Sequence, residues 1–433
     1  MKKIFLIVFV SMMFITSCDN SLEQVPPNIA NADSLTDFTG VLNAAYYYQT
    51  AAGTPLAVMG DFRADNAIFD EAPHNSFQVF NGDLITLEGD FFQPFYANLY
   101  KSILSANNVI ENSTNATHIA EAKFLRGLAY FNLVKVFGDI PVNLSASPST
   151  TDTSILAKQP VADVYKIVID DFTDAINGLD NSGIITGRAS KLAAQGMLGK
   201  TYIFMGDFTN AETHLKDVIN GAAAAGVSLQ DNFADVFGSV NDLNSEIIFA
   251  TQTSGAITAG SGTVFAAWFG GNDTKADEYP ITSSLVDAFD AEGDVTRKDA
   301  TILISATNRV GVKFDGADQD FIDLRLGDAI LLYAEALNEN NKTSDAIIQL
   351  NKIRNRANLA NTTATTKATV KVAIANERRL ELAFEGHRWF DLVRTNTVSA
   401  EMGTTVDSKY YVFPIPTSEI FASDGIITQN TGY

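Results

Sequence analysis

Glu377, Glu381 and Glu385 recur every fourth residue in "NERRLELAFEGHRWFDLVR", and on a helix that spacing puts three carboxylates on one face. Paired carboxylates are the machinery of glycoside hydrolysis, one as acid and the other as base or nucleophile. Like charges one turn apart also repel, so the row needs cations, and Arg378, Arg379, Arg388 and Arg394 stand nearby in sequence. A structural ion network is therefore the simpler reading of this row. The four histidines, His74, His118, His214 and His387, fall at no metal-ligand spacing, and there is no HExxH. His387 reads as a buried, hydrogen-bonded residue that Asp391, one turn on, can hold. There is no GxSxG elbow, phosphate loop or GxGxxG. "DGADQDFID" and "NDTKADE" depart from the calcium-loop pattern and read as solvated acidic loops. No catalytic residue, metal ligand or cofactor is assigned, and the chain reads as something other than an enzyme.

Aromatic residues suggest capture instead. The chain has 29 Phe and 13 Tyr but only two Trp. Trp389 lies among apolar neighbours and reads as packing. Trp268 lies in "AAWFGG", inside a Gly-rich stretch, where no helix seam requires it. A flat indole with a hydrogen-bonding edge suits the C–H face of a sugar ring. Trp268 is the first candidate for ligand contact, followed by Phe269, Tyr279, Phe69, Phe77 and Phe80. The alternative for Trp268 is a loop anchor plugged into the body.

The single cysteine, Cys18, closes "MKKIFLIVFVSMMFITSC". Lys2 and Lys3 followed by an apolar run from Ile4 to Ile15 match a signal peptide and are too short to span a bilayer. Cleavage before Cys18 would leave an N-terminal thiol for acyl chains, and two or more such chains give stable anchoring. Residues 1–17 are read as a lipoprotein signal peptide and residues 18–34 as a lipidated, Pro-containing tether. The alternative is an ordinary secreted protein with an incidental cysteine. With one cysteine, disulfide stapling is excluded. A net charge of −21, made more negative by loss of the two lysines, argues against nucleic acid as a partner.

The elements that must position these residues are mostly helical. Apolar residues at three and four mark residues 35–58, 92–111, 118–137, 159–179, 188–206 and 207–220, then 321–340, 343–359 and a long last helix over 368–395. Thr117 and Thr343 are candidate N-caps, and Pro160 suits a helix start. Ala and Gly at 127 and 129, 196 and 199, and 334 and 336 suggest close helix crossings. Helix pairs of about 34 residues are the mark of a tetratricopeptide-like solenoid. Two stretches break the pattern. Residues 59–90 read as a long ordered loop with one short strand. Residues 221–320 read as an irregular insertion with strands at "NSEIIFATQ" and "RVGVKFDG" and a short helix at "SSLVDAFDAEG".

"ERRLELAFEGHRWFDLVRT" at 377–395 and "FPIPTSEI" with the ending "QNTGY" at 413–433 resemble the SusD/RagB family of outer-membrane nutrient-binding lipoproteins, whose usual ending is QNPGY. "AEAKFLRGLAYFNLVKVFGDIPV" at 120–142, "LRLGDAILLYAEALNE" at 324–339, "LNKIRNRANL" at 350–359 and "SCDNSLEQVPP" carry the resemblance further. It covers the chain apart from residues 59–90 and 221–320. It implies an all-α dominated fold: a tetratricopeptide-like helical-pair scaffold of about four units over 35–58, 92–220 and 321–395. A loop-rich ligand side with a few short strands at 59–90 and 221–320, and a tail at 396–433, would complete one body, 35–433. It implies outer-membrane attachment through Cys18, facing outward, and a SusC-like TonB-dependent transporter over which the protein acts as a lid. Members bind oligosaccharide or polysaccharide, or sometimes peptide, without cleaving it. Glu381, Glu385, Arg388 and Trp389 would be scaffold. A peptide or other small nutrient, or a glycoside hydrolase activity, are the alternatives to weigh.

Overall fold

Apolar residues at three and four do produce helices. α1 (Thr39–Gln49) buries Leu42 and Ala45, and a 3-10 turn leads into α2 (Gly53–Asp61), most of which is buried. α3 (Gln93–Asn112) and α4 (Ala116–Phe137) follow, α4 being apolar almost all round and sunk in the core. α5 (Val161–Gly178), α6 (Lys191–Met205) and α7 (Phe208–Gly221) continue the series. Within the irregular insertion lie α8 (Ser283–Glu292) and α9 (Val295–Thr301), and after it come α10 (Leu326–Glu339), α11 (Thr343–Arg356), α12 (Lys367–Glu381) and α13 (Arg388–Arg394).

This computed structural model describes residues 35–149, 151–253, 265–270, 281–305, 309–314 and 319–433. The expected signal peptide over 1–17, the expected lipidated tether over 18–34 with Cys18, and Tyr279 lie outside the described residues. Phe38–Tyr433 form one unit. In it α1 packs on α3, and α3 through α6 each pack on the next helix. α7 then packs on α10 across the insertion, and α10 packs on α11 and α12. That succession of neighbours is the tetratricopeptide-like arrangement. Gly199 permits one crossing, because a Cβ there would lie 2.6 Å from Leu215 Cγ.

The strands are short and paired in twos. β1 (Ile140–Pro141) pairs with β2 (Lys158–Gln159), and β4 (Ile302–Ile304) with β5 (Arg309–Gly311). β3 (Ile247–Thr251) runs antiparallel to β6 (Phe321–Arg325), with Thr251 opposite Phe321 and Ile247 opposite Arg325. The tail closes over the end of α4. Phe413 N donates to Val136 O at 2.9 Å, and the Asn430 amide donates to Phe137 O and Phe413 O, both at 2.8 Å.

Several expectations are corrected. The expected helix over 321–340 begins at Leu326, because residues 321–325 find a ladder partner in β3. The long last helix is two, α12 and α13, broken at residues 382–387, where Phe384 and Gly386 take φ of 70° and 77°. The buried Asp61 carboxylate holds the break, accepting the N–H of Phe384 at 3.0 Å and of Gly386 at 3.1 Å. Gly60 lies against Gly386 backbone to backbone, where any Cβ would collide. Asn115, not Thr117, caps α4, and Thr343 is the first residue of α11, its hydroxyl turned to Asn338. Within the described part of 59–90, 3-10 turns at His74–Phe77 and Gly82–Leu87 and a π turn at Glu88–Phe92 replace the expected strand. Only an isolated bridge joins Ala67 to Ile281.

Candidate functional site

The glutamate row is filled with cations from distant segments. Glu381 is fully buried and meets Arg325 at 2.7 Å, Arg297 at 3.0 Å and Arg356. Glu385 accepts from Arg325 at 2.8 Å and Lys313 at 2.6 Å, and Glu377 pairs with Arg297 at 2.7 Å and Arg354 at 3.0 Å. Glu246, beside β3, joins through Arg325 at 2.8 Å and Arg356 at 3.1 Å. Against the cost of burial, these cations hold Glu381 well below the usual carboxylate range and Glu385 at about 2. A carboxylate held there has no proton to give near neutrality.

The neighbouring arginines expected as partners face elsewhere. Arg378 goes to Asp328 and Asp391, Arg379 to Asp65, Arg388 to Asp65 and Glu401, and Arg394 to Glu335 and Asp391. Adjacent helical positions are a hundred degrees apart, so sequence neighbours of the row point away from it. Asp391 is thus committed to arginines, and its link to His387 is a backbone hydrogen bond of 2.9 Å. Burial pushes His387 down to about 3, so it is neutral at physiological pH.

The aromatic candidates divide. Phe69, Phe77, Trp268 and Phe269 meet in one knot with Phe62, Phe91 and Phe384. Ring centroids are 3.8 Å apart for Phe62–Phe69, 5.1 Å for Phe91–Trp268 and 4.5 Å for Phe269–Phe384. Trp268 is 7% exposed and the other three candidates 2% or less. This is the geometry of an anchor, with no ring face open for stacking. Phe80 sits apart, half-buried on Trp389 with the Arg63 guanidinium 4.4 Å from its centroid. Tyr279 lies outside the described residues.

A hollow of about 750 Å³ opens instead between the C-terminal half of α1, the turn at residues 186–188 and the ends of β3 and β6. Its walls are Asn43, Tyr46, Tyr47, Arg188, Asp242, Gln252, Thr253 and Asp320, with Phe249 and Thr251 beneath. Tyr46 is fixed: its hydroxyl donates to Glu121 at 2.6 Å and accepts from Ala189 N at 2.9 Å. Burial and the Glu121 charge raise its pKa, so it stays a neutral donor. Arg188 donates to Glu121 at 2.7 Å and to Asn43 at 3.1 Å, its guanidinium 4.5 Å from the Tyr46 ring. Tyr47, next along α1, is 47% exposed. No described residue bonds the Tyr47 hydroxyl or the Gln252 amide. Stiff walls and unclaimed polar groups around an aromatic ring are what a small polar ligand needs. A second hollow of about 160 Å³, between α10, α12 and α13, is walled by groups already paired, such as Arg394 with Glu335 at 2.6 Å.

Tyr47 was missed from sequence, although "YYYQ" at 46–49 held a signal. Three consecutive tyrosines on a helix sweep two hundred degrees, so they cannot all share a buried face.

Comparison with known proteins agrees with this architecture. Residues 288–407 match the model of the SusD family, and residues 17–203 a model described as starch-binding associating with outer membrane. SusD-like protein P2 of Formosa agariphila is 25% identical, with 100% of both chains covered. A SusD-like protein of Bacteroides ovatus is 23% identical over 90% of this chain and 82% of its own. Among solved structures, a SusD homolog from Bacteroides thetaiotaomicron superposes with a TM-score of 0.78 at 21% identity, covering 93% of this chain and 97% of that one. A laminarin-binding SusD-like protein gives 0.75 at 24% identity, covering 92% and 99%. Surface glycan-binding protein A from Bacteroides fluxus gives 0.76 at 21%, also covering 92% and 99%.

Proposed function

The chain belongs to the SusD family of outer-membrane glycan-binding proteins, which are not enzymes, and on that premise we propose that it captures oligosaccharides at the cell surface and delivers them to a SusC-like TonB-dependent transporter. The hollow between α1, the 186–188 turn and β3 is the capture site in this reading. The observation that carries it is Tyr47, a solvent-facing ring at the edge of a roomy cleft where the Gln252 amide has no partner among the described residues. A sugar ring lies against Tyr47, and its hydroxyls bond Gln252, Asn43 and Asp320.

Cys18, once freed by signal cleavage, carries the acyl chains that hold the body at the outer membrane. Mass spectrometry of the N-terminal peptide tests this, an unmodified thiol counting against it. Co-purification from membranes with a large β-barrel tests the transporter.

Calorimetric titration with laminarin, mannan and xylan oligosaccharides tests the capture site, and the laminarin-binding relative makes laminarin the first to try. By analogy with base–aromatic stacks, loss of one stack in Tyr47→Ala costs about 1–3 kcal/mol of binding. Unchanged affinity in Tyr47→Ala would remove the cleft from the reading, and binding of peptides but no glycan would favour the alternative cargo.

A further inference from the structure

A small polar hollow of about 20 Å³ lies where α2, α4, α6, β6 and the break at residues 382–387 meet. Its polar walls are Asn132 and Lys135 from α4, Lys200 from α6, Asp323 from β6, and Glu385 with His387 from the break. Lys200 is committed, donating to Asp323 O at 3.2 Å and to Asp328 Oδ2 at 3.0 Å, and Glu385 is held by Arg325 and Lys313. Two donors are not committed. Asn132 is 3% exposed, and its Nδ2 has no hydrogen-bond partner among the described residues. The Lys135 ammonium has neither a hydrogen bond nor an ion pair among them, and rests 4.8 Å from the Phe390 centroid and 5.3 Å from that of Phe131. Asp323 spends one carboxylate oxygen on the Thr251 hydroxyl at 2.7 Å. Burial pushes Lys135 down to about 7 and Asp323 up to about 6, each against the pull of the other's charge. Buried donors in native proteins find a partner, either protein or water. A hollow needs about 10–15 Å³ and two to four polar partners to hold one water, and this one has both. A halide is larger and would lie against the Asp323 and Glu385 carboxylates, where low dielectric magnifies repulsion, whereas water can both accept and donate.

We propose that this hollow binds one structural water, which accepts from Asn132 Nδ2 and Lys135 Nζ and donates to the Asp323 carboxylate, so that Lys135 and Asp323 form a water-bridged ion pair. Neutral His387 offers an acceptor for the second hydrogen of the water. The bridge ties α4 to β6 and, through the Thr251 hydroxyl, to β3, whose end floors the larger cleft. It restores to both charges the hydrogen bonding that burial removes.

A crystal structure of the wild type, at a resolution that shows ordered water, tests the site directly. The expected result is a density peak within hydrogen-bond distance of Asn132 Nδ2 and Lys135 Nζ that remains water in crystals grown with bromide. A dry hollow, or an anomalous bromide peak there, would overturn the proposal. In solution, urea denaturation of Lys135→Met, Asp323→Asn and the double variant measures how far the two residues couple. Replacing Lys135 should lower the folded-to-unfolded ratio at least about fivefold more with Asp323 in place than in Asp323→Asn. Effects of the two substitutions that simply multiply would overturn the bridge. The wild-type crystal structure decides even where a variant fails to fold.

Discussion

Glu381 and Asp320 are both buried carboxylates, yet they sit at opposite ends of the range open to such a group. Three arginines ring Glu381 and hold it ionised. Asp320 has a backbone N–H, a second acid and an oxygen with no partner among the described residues, and is driven up to about 7. Burying a charge is costly unless it is paired. The saturated carboxylate therefore belongs to the framework, and the unsaturated one stands where something from outside can complete it. The aromatic residues divide the same way, Trp268 enclosed by other rings and Tyr47 facing water.

The strongest way to break this contrast is at its closed end. Arg325→Ala strips a partner from Glu246, Glu381 and Glu385 at once. Breaking a buried pair costs about 3–5 kcal/mol, so urea denaturation should show a loss of at least that size. Trp268→Ala should also lose about 3–5 kcal/mol through the cavity left in the knot. Calorimetry on its folded fraction should give near-normal glycan affinity, and a collapse there would move the capture site to the knot.

Acid comes next. The folded state holds Glu385 at about 2, below its unfolded value near 4.5. Its contribution is therefore fully present above about pH 4.5 and is lost as pH falls toward 2, a change on the order of 3 kcal/mol readable from melting temperature against pH. Asp320 has the opposite sign. Its folded pKa lies above its unfolded one, so its ionised form costs stability above about pH 7, and the cost is relieved as pH falls toward 4. Asp320→Asn at pH 8 should accordingly stabilise slightly, on the order of 1 kcal/mol after solvent screening. A clear loss would mean that Asp320 is framework after all.

The sequence made most helices legible because their apolar period is strong and their ends carry Pro160, Gly138 and Gly206. The break at residues 382–387 was hidden, since "LELAFEGHRWF" has helical composition and the cause is Asp61, more than 300 positions away. "FIDLR" reads as helix from sequence because a short apolar run fits either period, and only the pairing with β3 decides it. The glutamate row was legible as an ion network but its partners were not, because Arg297, Lys313, Arg325, Arg354 and Arg356 come together only in three dimensions. The cleft was least legible. Its walls come from four separate stretches, none of which has a motif.

Asp320 and Thr253 flank the paired ends of β6 and β3, and Arg325, at the other end of β6, is bolted to α12 and to the turn after it. The walls of the hollow thus extend from a two-stranded sheet that an ionic clamp has already immobilised. An incoming sugar should find them set, with little freedom left to surrender on contact, so the heat of association should change little when neighbouring surface loops are shortened.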